Sequence, residues 1–535
     1  MPSQAVIGRK FNTRRRRCIR RCVGCFCGVL ALLCIAVGVG ITFAFDYVFQ
    51  EQLKVMMPLA NGSMSYRGWS EPPNKITFQI WLWNVTNPKE VIMGQRPVLQ
   101  QVGPFAFAER RYKANITFYP NDTVSFFEYQ QFFYLPEKSC GNISELMITS
   151  VNMPYAVTSI QMKAVSPFLR NIAGRMFAQN SGGLFITRPA SEILHGYKDG
   201  ALSIVEGMVR RFLPHMPFQS TSGLFIGTNN THKGQFLVHT GRGNLSSFNR
   251  VQRWNGEPEL SVWPEKSANK IVGTDGSMFG PGVTSSSKLD IFSTDICLSL
   301  HLVYEKPADI EGIPALGFRP SPEIMLNATL RPENKAFCLE SGCLDSGVLN
   351  ISLCKGGVPL AISSPHFTNA PTYAKAVIGV SPSEEEFGTA ICIEPNTGFV
   401  INAQRRMQMN IMLERISGFT DTEKLIDPML MMPLMWLNES GRIDPVSAEL
   451  FKAHLLAPIQ IVALAQWVII AVGIVWISAV ALTCSLLARR RRRRRQNRPS
   501  RQIVLNRMSD DSDVTADAGL IRKLQDPNLR ESNIV

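Results

Sequence analysis

The amino-acid sequence predicts a mainly β body with an inserted helical subdomain, held between two membrane-spanning helices. Three observations predict this. Two long uncharged apolar runs sit just inside basic clusters, apolar residues alternate with period two through the middle of the chain, and between about residues 152 and 215 that spacing lengthens to a helical one.

The spans come first, because charge and hydropathy locate them together. The chain has 535 residues and a formal net charge of +14. Residues 1–22 carry eight Lys/Arg and no acid, and residues 489–535 carry thirteen basic against six acidic residues, so the long middle is close to neutral. Directly inside these clusters lie 23 uncharged residues, 23–45, and 32 more, 457–488. A bilayer core of about 30 Å needs about 20 helical residues, so both runs are long enough to cross. The first is longer than the apolar core of a cleaved signal peptide and lacks a small-residue exit before Asp46, so it reads as an anchor. The positive-inside bias places both termini in the cytosol. The seven arginines Arg489 to Arg495 then read as a topological stop at a membrane, and no nucleic-acid partner is expected.

This predicts a basic cytosolic tail at 1–22, a span at 23–45, a lumenal or extracellular body at 46–456, a second span at 457–488 and a cytosolic tail at 489–535. Ten Asn-x-Ser/Thr sequons test the scheme: Asn61, Asn84, Asn115, Asn121, Asn142, Asn229, Asn244, Asn327, Asn350 and Asn438. All ten fall between the spans, as a glycosylated body requires.

Within the body, KITFQIWLWNVT places Ile76, Phe78, Ile80 and Leu82 on one face of a strand, and MQMNIML repeats the pattern with Met407, Met409, Ile411 and Leu413. EPNTG between TAICI and FVINAQ supplies a turn, with Gly398 free to take positive φ. The helical spacing is seen in Ile204, Val205, Met208, Val209 and Phe212. Six cysteines, Cys140, Cys297, Cys338, Cys343, Cys354 and Cys392, lie in the oxidising compartment, and the sequence alone leaves their pairing open among fifteen patterns.

Catalytic patterns are missing. There is no G-x-S-x-G, H-E-x-x-H, Walker A or G-x-G-x-x-G sequence, and the seven histidines are not at metal-ligand spacing. No catalytic residue, metal or cofactor is therefore expected. Lys163, Arg170, Arg175 and Arg188 concentrate positive charge about the helical region and are the candidate binding residues for anionic ligands. A two-span ligand-gated channel shares this topology, but its spans would need more polar pore-lining groups than Thr42, Gln460, Gln466, Ser478 and Thr483.

Several stretches, in order along the body, resemble the class B scavenger receptor family, its lysosomal branch most of all. They include NVTNPKEV (84–91), QVGPFAF (101–107), LFITRPASEILHGYKD (184–199), GTDGSMFGP (273–281), FSTDIC (292–297), NKAFCLESGCLDSGVLNISLCKGGVPLAISSPHF (334–367), IEPNTG (393–398) and WLNESG (436–441). The resemblance implies an antiparallel β-barrel-like body with an apolar tunnel, capped by the helical bundle. It also implies lipid, sterol or lipoprotein-like ligands that enter at the bundle and travel toward the bilayer. Matching cysteines imply the disulfides Cys297–Cys354 and Cys338–Cys343, with Cys140 and Cys392 unassigned. In the tail, DAGLI fits an acidic dileucine signal, Asp517, Leu520 and Ile521, through which adaptor complexes would sort the protein to endosomal and lysosomal membranes, with the plasma membrane as a second location. A carrier of a lumenal hydrolase is the alternative within the family, although residues 152–170 lack the histidine found in the lysosomal branch.

Overall fold

The computed structural model describes residues 4–72, 75–213 and 215–496. The expected sorting signal, Asp517, Leu520 and Ile521, lies outside the described residues. The chain divides into two units, Val39–Gln466, which is the body, and a smaller one formed by Met1–Gly38 with Trp467–Val535.

The smaller unit contains part of each of two long, largely apolar helices, Gln4–Met56 and Ala457–Gln496. Stretches long and apolar enough to cross a membrane cover Cys25–Met56 and Pro445–Arg494. The helices approach where side chains are small. A Cβ at Gly473 would meet Ile35 Cγ1 at 2.7 Å and the Ala31 carbonyl oxygen at 3.1 Å. Gly28, the second residue of a Gly-x-x-x-Gly pair, has nothing within 4 Å.

The body is mostly antiparallel sheet. Its first strands are β1 (Ile76–Val85), β2 (Leu99–Tyr119), β3 (Thr123–Tyr134), β4 (Met147–Val151), β5 (Phe185–Pro189) and β6 (Tyr197–Lys198). Then come β7 (Thr221–Ser222), β8 (Thr231–His239), β9 (Val251–Trp254), β10 (Leu289–Ser293), β11 (Leu298–Ile310) and β12 (Ile313–Pro320). The last are β13 (Val348–Asn350), β14 (Leu360–Ser363), β15 (Ala390–Ile393), β16 (Val400–Glu414) and β17 (Met429–Arg442). Thirteen form one sheet, in the order β10-β11-β12-β15-β16-β17-β1-β2-β3-β8-β9, with β13 and β14 branching from β16.

The edge strands β9 and β10 do not pair with each other. Both bond to the two residues between them, Gly273 and Thr274. Val251 N–H donates to the Gly273 carbonyl at 2.8 Å, Thr274 N–H to Asp290 at 3.0 Å, and Phe292 N–H to Thr274 at 2.9 Å. This segment turns an open sheet into a nearly closed barrel and satisfies backbone groups that both edges would otherwise expose. Gly273 is required there: its φ is +97°, and a Cβ would collide with the backbone of Asp290. The seam is pinned by Asp275, which accepts from Ser277 N at 2.9 Å, Ser277 Oγ at 2.6 Å and Asn249 Nδ2 at 2.7 Å.

The helical region contains Met153–Gln161, Pro167–Ser181, Ala190–His195 and Gly200–Phe212, interleaved with the short ribbons β4–β5 and β6–β7. Helix Gly200–Phe212 starts on Asp199, whose side chain caps Leu202 N–H at 2.9 Å. Helix Ala190–His195 buries Ala190, Ile193 and Leu194 against Phe78, Ile80 and Leu82 of β1, Phe105 and Phe107 of β2, and Met435 and Leu437 of β17. Those strand residues share one period-two face, so this helix packs against the same face that lines the cavity described next.

Candidate functional site, a cavity with a charged girdle

The barrel encloses a cavity of about 830 Å³. Along β16 its wall includes Ile401, Ala403, Arg405 and Met407, every second residue of one strand. With Phe399 included, the wall follows eight residue steps, about 26 Å at roughly 3.3 Å per residue. Phe236, Met278, Phe292, Leu300, Leu302, Ile443 and Phe451 make much of the remaining wall apolar.

The cavity is not uniformly apolar. Arg111 on β2 donates through Nε and Nη2 to Glu109 Oε1, at 3.0 and 2.5 Å, and the same Nη2 reaches Glu439 Oε1 on β17 at 2.7 Å. Arg405, directly opposite Glu439 in the β16–β17 register, grips Glu439 Oε2 through Nε and Nη2 at 3.0 and 2.6 Å. Its Nη1 reaches Asp295 Oδ2 at 2.7 Å, and Lys233 of β8 completes the chain to Asp295 at 3.3 Å. Five of these six residues line the cavity, and Glu109 sits behind them. Arg405 and Asp295 keep 37% and 32% of their side-chain surface accessible, although both sit deep in the body, so the accessible surface is cavity wall.

The electrostatics follow from burial and pairing. Burial pushes the Asp295 carboxyl up, but Lys233 and Arg405 outweigh it and hold the group far below the ordinary carboxylate range. Burial likewise opposes ionisation of Glu439, and the two guanidiniums on either side overcome it and keep this group low. Glu109 differs. Its burial, aided by the neighbouring Glu439 charge, prevails over Arg111 and raises its pKa, and its Oε2 has no hydrogen-bond partner among the described residues. Lys113 makes a second buried cluster, 3.1 Å from Asp275 and 3.6 Å from Glu128, under the rings of Trp69 and Phe126 at 5.0 and 5.1 Å. Burial opposes the Asp275 charge, and Lys113 with Ser277 restores it, leaving that pKa lowered. Among the described residues no group of three or more His, Cys, Asp or Glu is arranged to hold a metal.

None of the girdle residues was singled out from the sequence, yet one signal was there. Arg405 continues the face of Met407, Met409, Ile411 and Leu413, so a charged residue stood on the apolar face of a strand. Of the four candidate binding cations, Lys163 bonds Glu414 at 2.5 Å, and Arg188 bonds Glu192 at 2.9 Å while lying 4.2 Å over the Tyr197 ring. Arg170 has a buried Nε without a partner among the described residues, and Arg175 is exposed. What the helices chiefly expose is apolar: Phe168 (73%), Leu169 and Ile172 on one, Ile204, Met208 and Phe212 (74%) on the other.

Cys297 is bonded to Cys354 and Cys338 to Cys343, while Cys140 and Cys392 are free thiols. Asn61, Asn115, Asn121, Asn142, Asn229 and Asn244 are exposed, and Asn84, Asn327 and Asn438 are half-buried. Asn350 is 4% exposed and its Nδ2, the atom a glycan would take, donates to the Phe337 carbonyl at 3.1 Å.

A barrel-like body with a partly apolar cavity, preceded and followed in the chain by long apolar helices, fits a two-pass membrane protein. The chain belongs to the CD36 family, whose model matches residues 29–484. It is 33% identical to scavenger receptor class B member 1 of Cricetulus griseus over 448 residues, 83% of this chain and 86% of the relative. It is also 33% identical to lysosome membrane protein 2 of Rattus norvegicus over 459 residues, 85% of this chain and 93% of the relative, and 32% identical to the Homo sapiens protein of that name over the same shares.

Proposed function

We propose that this chain is a glycosylated scavenger receptor that takes up lipid-bearing or anionic ligands and passes the lipid through its barrel. The observation that carries this reading is the long cavity of about 830 Å³ with a largely apolar wall. An acyl chain kept inside such a wall avoids about 0.8 kcal/mol of exposure to water per CH₂. The apolar surface on helices Pro167–Ser181 and Gly200–Phe212 supports capture at the helical region. Phe451 and His454, which line the cavity, come just before the second span in the chain, in keeping with delivery toward a bilayer. No covalent chemistry is part of this reading, and the relatives are named as a receptor and a membrane protein.

The reading extends to place. Both termini face the cytosol, and Asp517, Leu520 and Ile521 engage adaptor complexes that hold the protein in endosomal and lysosomal membranes. Replacing Leu520 and Ile521 by alanine is expected to move it to the cell surface, measured by surface biotinylation. The conduit is tested by native mass spectrometry of the purified full-length protein. Co-purified lipid is expected in the wild type, and Ala403→Trp, which places a ring in the cavity, should remove it and lower sterol transfer. Lipid-free wild-type protein, or unimpaired transfer through Ala403→Trp, would sink the conduit.

A further inference from the structure

The girdle contains an arrangement that a plain apolar conduit does not need. One nitrogen, Arg111 Nη2, serves two carboxylates, Glu109 at 2.5 Å and Glu439 at 2.7 Å. Two like charges sharing one donor repel, and the cheaper one to neutralise is the one with less compensation. Glu439 also receives both Nε and Nη2 of Arg405. Glu109 has only Arg111 and the Gln130 amide at 2.8 Å, and its Oε2 is buried without a partner among the described residues.

The groups facing Glu109 are few. Arg111 approaches from its own strand, Gln130 from β3, Glu439 from β17 and, at longer range, Lys233 from β8. Its register neighbours, Ile76 on β1 and Phe132 on β3, are apolar. On the cavity side there are donors to spare. Arg111 Nη1 has no partner among the described residues, and Lys233 makes a single hydrogen bond with an ammonium that carries three protons.

We propose that Arg111 and Lys233 form a headgroup station in the cavity, and that Glu109 sets whether it takes neutral or anionic heads. The inference rests on the conduit reading and deepens it. With Glu109 ionised, the chain Glu109, Arg111, Glu439, Arg405, Asp295, Lys233 has three charges of each sign, Lys355 near Asp295 adds one positive charge in either state, and neutral heads compete best. A proton on the unpartnered Oε2 removes one negative charge, so the same donors face the cavity with one more unit of positive charge. The ligand they then favour is a single-chain amphiphile with a carboxylate or phosphate head, its tail along the apolar wall. The raised pKa of Glu109 agrees with the direction of this switch.

The test uses full-length protein in neutral detergent with two probes of equal chain length, hexadecanesulfonate, whose head is anionic throughout, and hexadecanol. Bound amounts are read by native mass spectrometry near pH 7.5 and near pH 5. The sulfonate-to-alcohol ratio is expected to rise about tenfold on acidification, the factor worth one pKa step of differential interaction. Glu109→Gln, which keeps the shape of the protonated acid, should show the high ratio at both pH values. Competition by oleate and by lysophosphatidate then tells a carboxylate head from a phosphate one. A flat ratio in the wild type, or an unchanged pH response in Glu109→Gln, overturns the station while leaving the conduit standing. Binding of neither probe overturns both.

Discussion

Strands β16 and β17 carry two buried polar systems on opposite faces, and these differ in kind. Inward lies the charged girdle of Arg405 and Glu439. On the other face, Gln408 accepts from Trp83 Nε1 at 3.3 Å and His366 N–H at 2.9 Å, and donates to Asn410 at 2.9 Å and Ser363 at 3.3 Å. Gln101 Oε1 accepts from Trp436 Nε1 and His366 Nε2, each at 2.7 Å, and His366 Nδ1 accepts from Ser381 N–H at 3.1 Å. This outer network is uncharged and its main donors and acceptors are matched, whereas the inner one is charged and leaves a carboxylate oxygen unmatched. A matched neutral network fixes a shape. An unmatched charged one beside a cavity has protons and donors still to use.

The outer network also supports unusual backbone. His366, Phe367 and Asn369 have φ of 54°, 56° and 66°, in the left-handed region where each non-glycine residue costs about 1–3 kcal/mol. The stacking of His366 on Phe387, with centroids 4.4 Å apart, and its hydrogen bonds at N, Nδ1 and Nε2 leave that segment one arrangement.

Four predictions can break this contrast, the largest first. Arg405→Met takes from Glu439 and Asp295 the cation they share, and is expected to destabilise the protein by about 3–4 kcal/mol, the lower part of the range for breaking a buried pair because the cavity reaches these groups. Denaturant unfolding measures it, and adding Glu439→Met should recover part of the loss. An unchanged midpoint for the single variant would mean the girdle is not a linked unit.

The second concerns acid. Burial lowers His366 from 6.5 to about 4, because the charged imidazolium is the form that loses its hydration there. A depressed histidine contributes stability above its unfolded pKa and loses it as pH falls through the folded value. The protein should therefore lose about 2–3 kcal/mol between about pH 6.5 and 4, and His366→Gln should flatten that window. Asp295 and Glu439, also depressed, lose their contribution only at and below the ordinary carboxylate range. Glu109, raised, acts oppositely and is relieved as pH falls. Melting curves of the variants across pH separate the three.

Third, Gln408→Ala leaves Trp83 Nε1 and His366 N–H unpaired and should cost about 2 kcal/mol with no change in headgroup preference, read by melting and by the two-probe assay. A shifted preference would join the two faces that the structure separates. Fourth, Lys163→Ala removes an ion pair whose lysine is half exposed, and should change stability by less than about 1 kcal/mol.

The legibility of the fold follows the range of the forces involved. Residues 23–45 and 457–488 could be read directly because hydropathy and flanking charge are local. The faces of β1 and β16 were equally open, since Ile76, Phe78, Ile80 and Leu82 alternate whatever they pack against. Helix Gly200–Phe212 was visible in its spacing, but not that Ile204, Met208 and Phe212 would face solvent, because periodicity marks a face without saying what covers it. The four candidate cations suffered the same limit: Lys163 is occupied by Glu414, 251 positions away.

By itself the sequence determined the two apolar spans, the strand-rich body between them, the turn at Gly398, whose φ is +75°, and the family. Tertiary structure alone decided that Gly273 and Thr274 close the barrel, that Arg405 stands opposite Glu439, and that Arg111 is shared with a carboxylate 328 residues further on. Burial pattern and turn chemistry are properties of neighbouring residues, so they are written locally. A cavity and the charge state of its wall arise from register between distant strands, and they exist only once the sheet has closed.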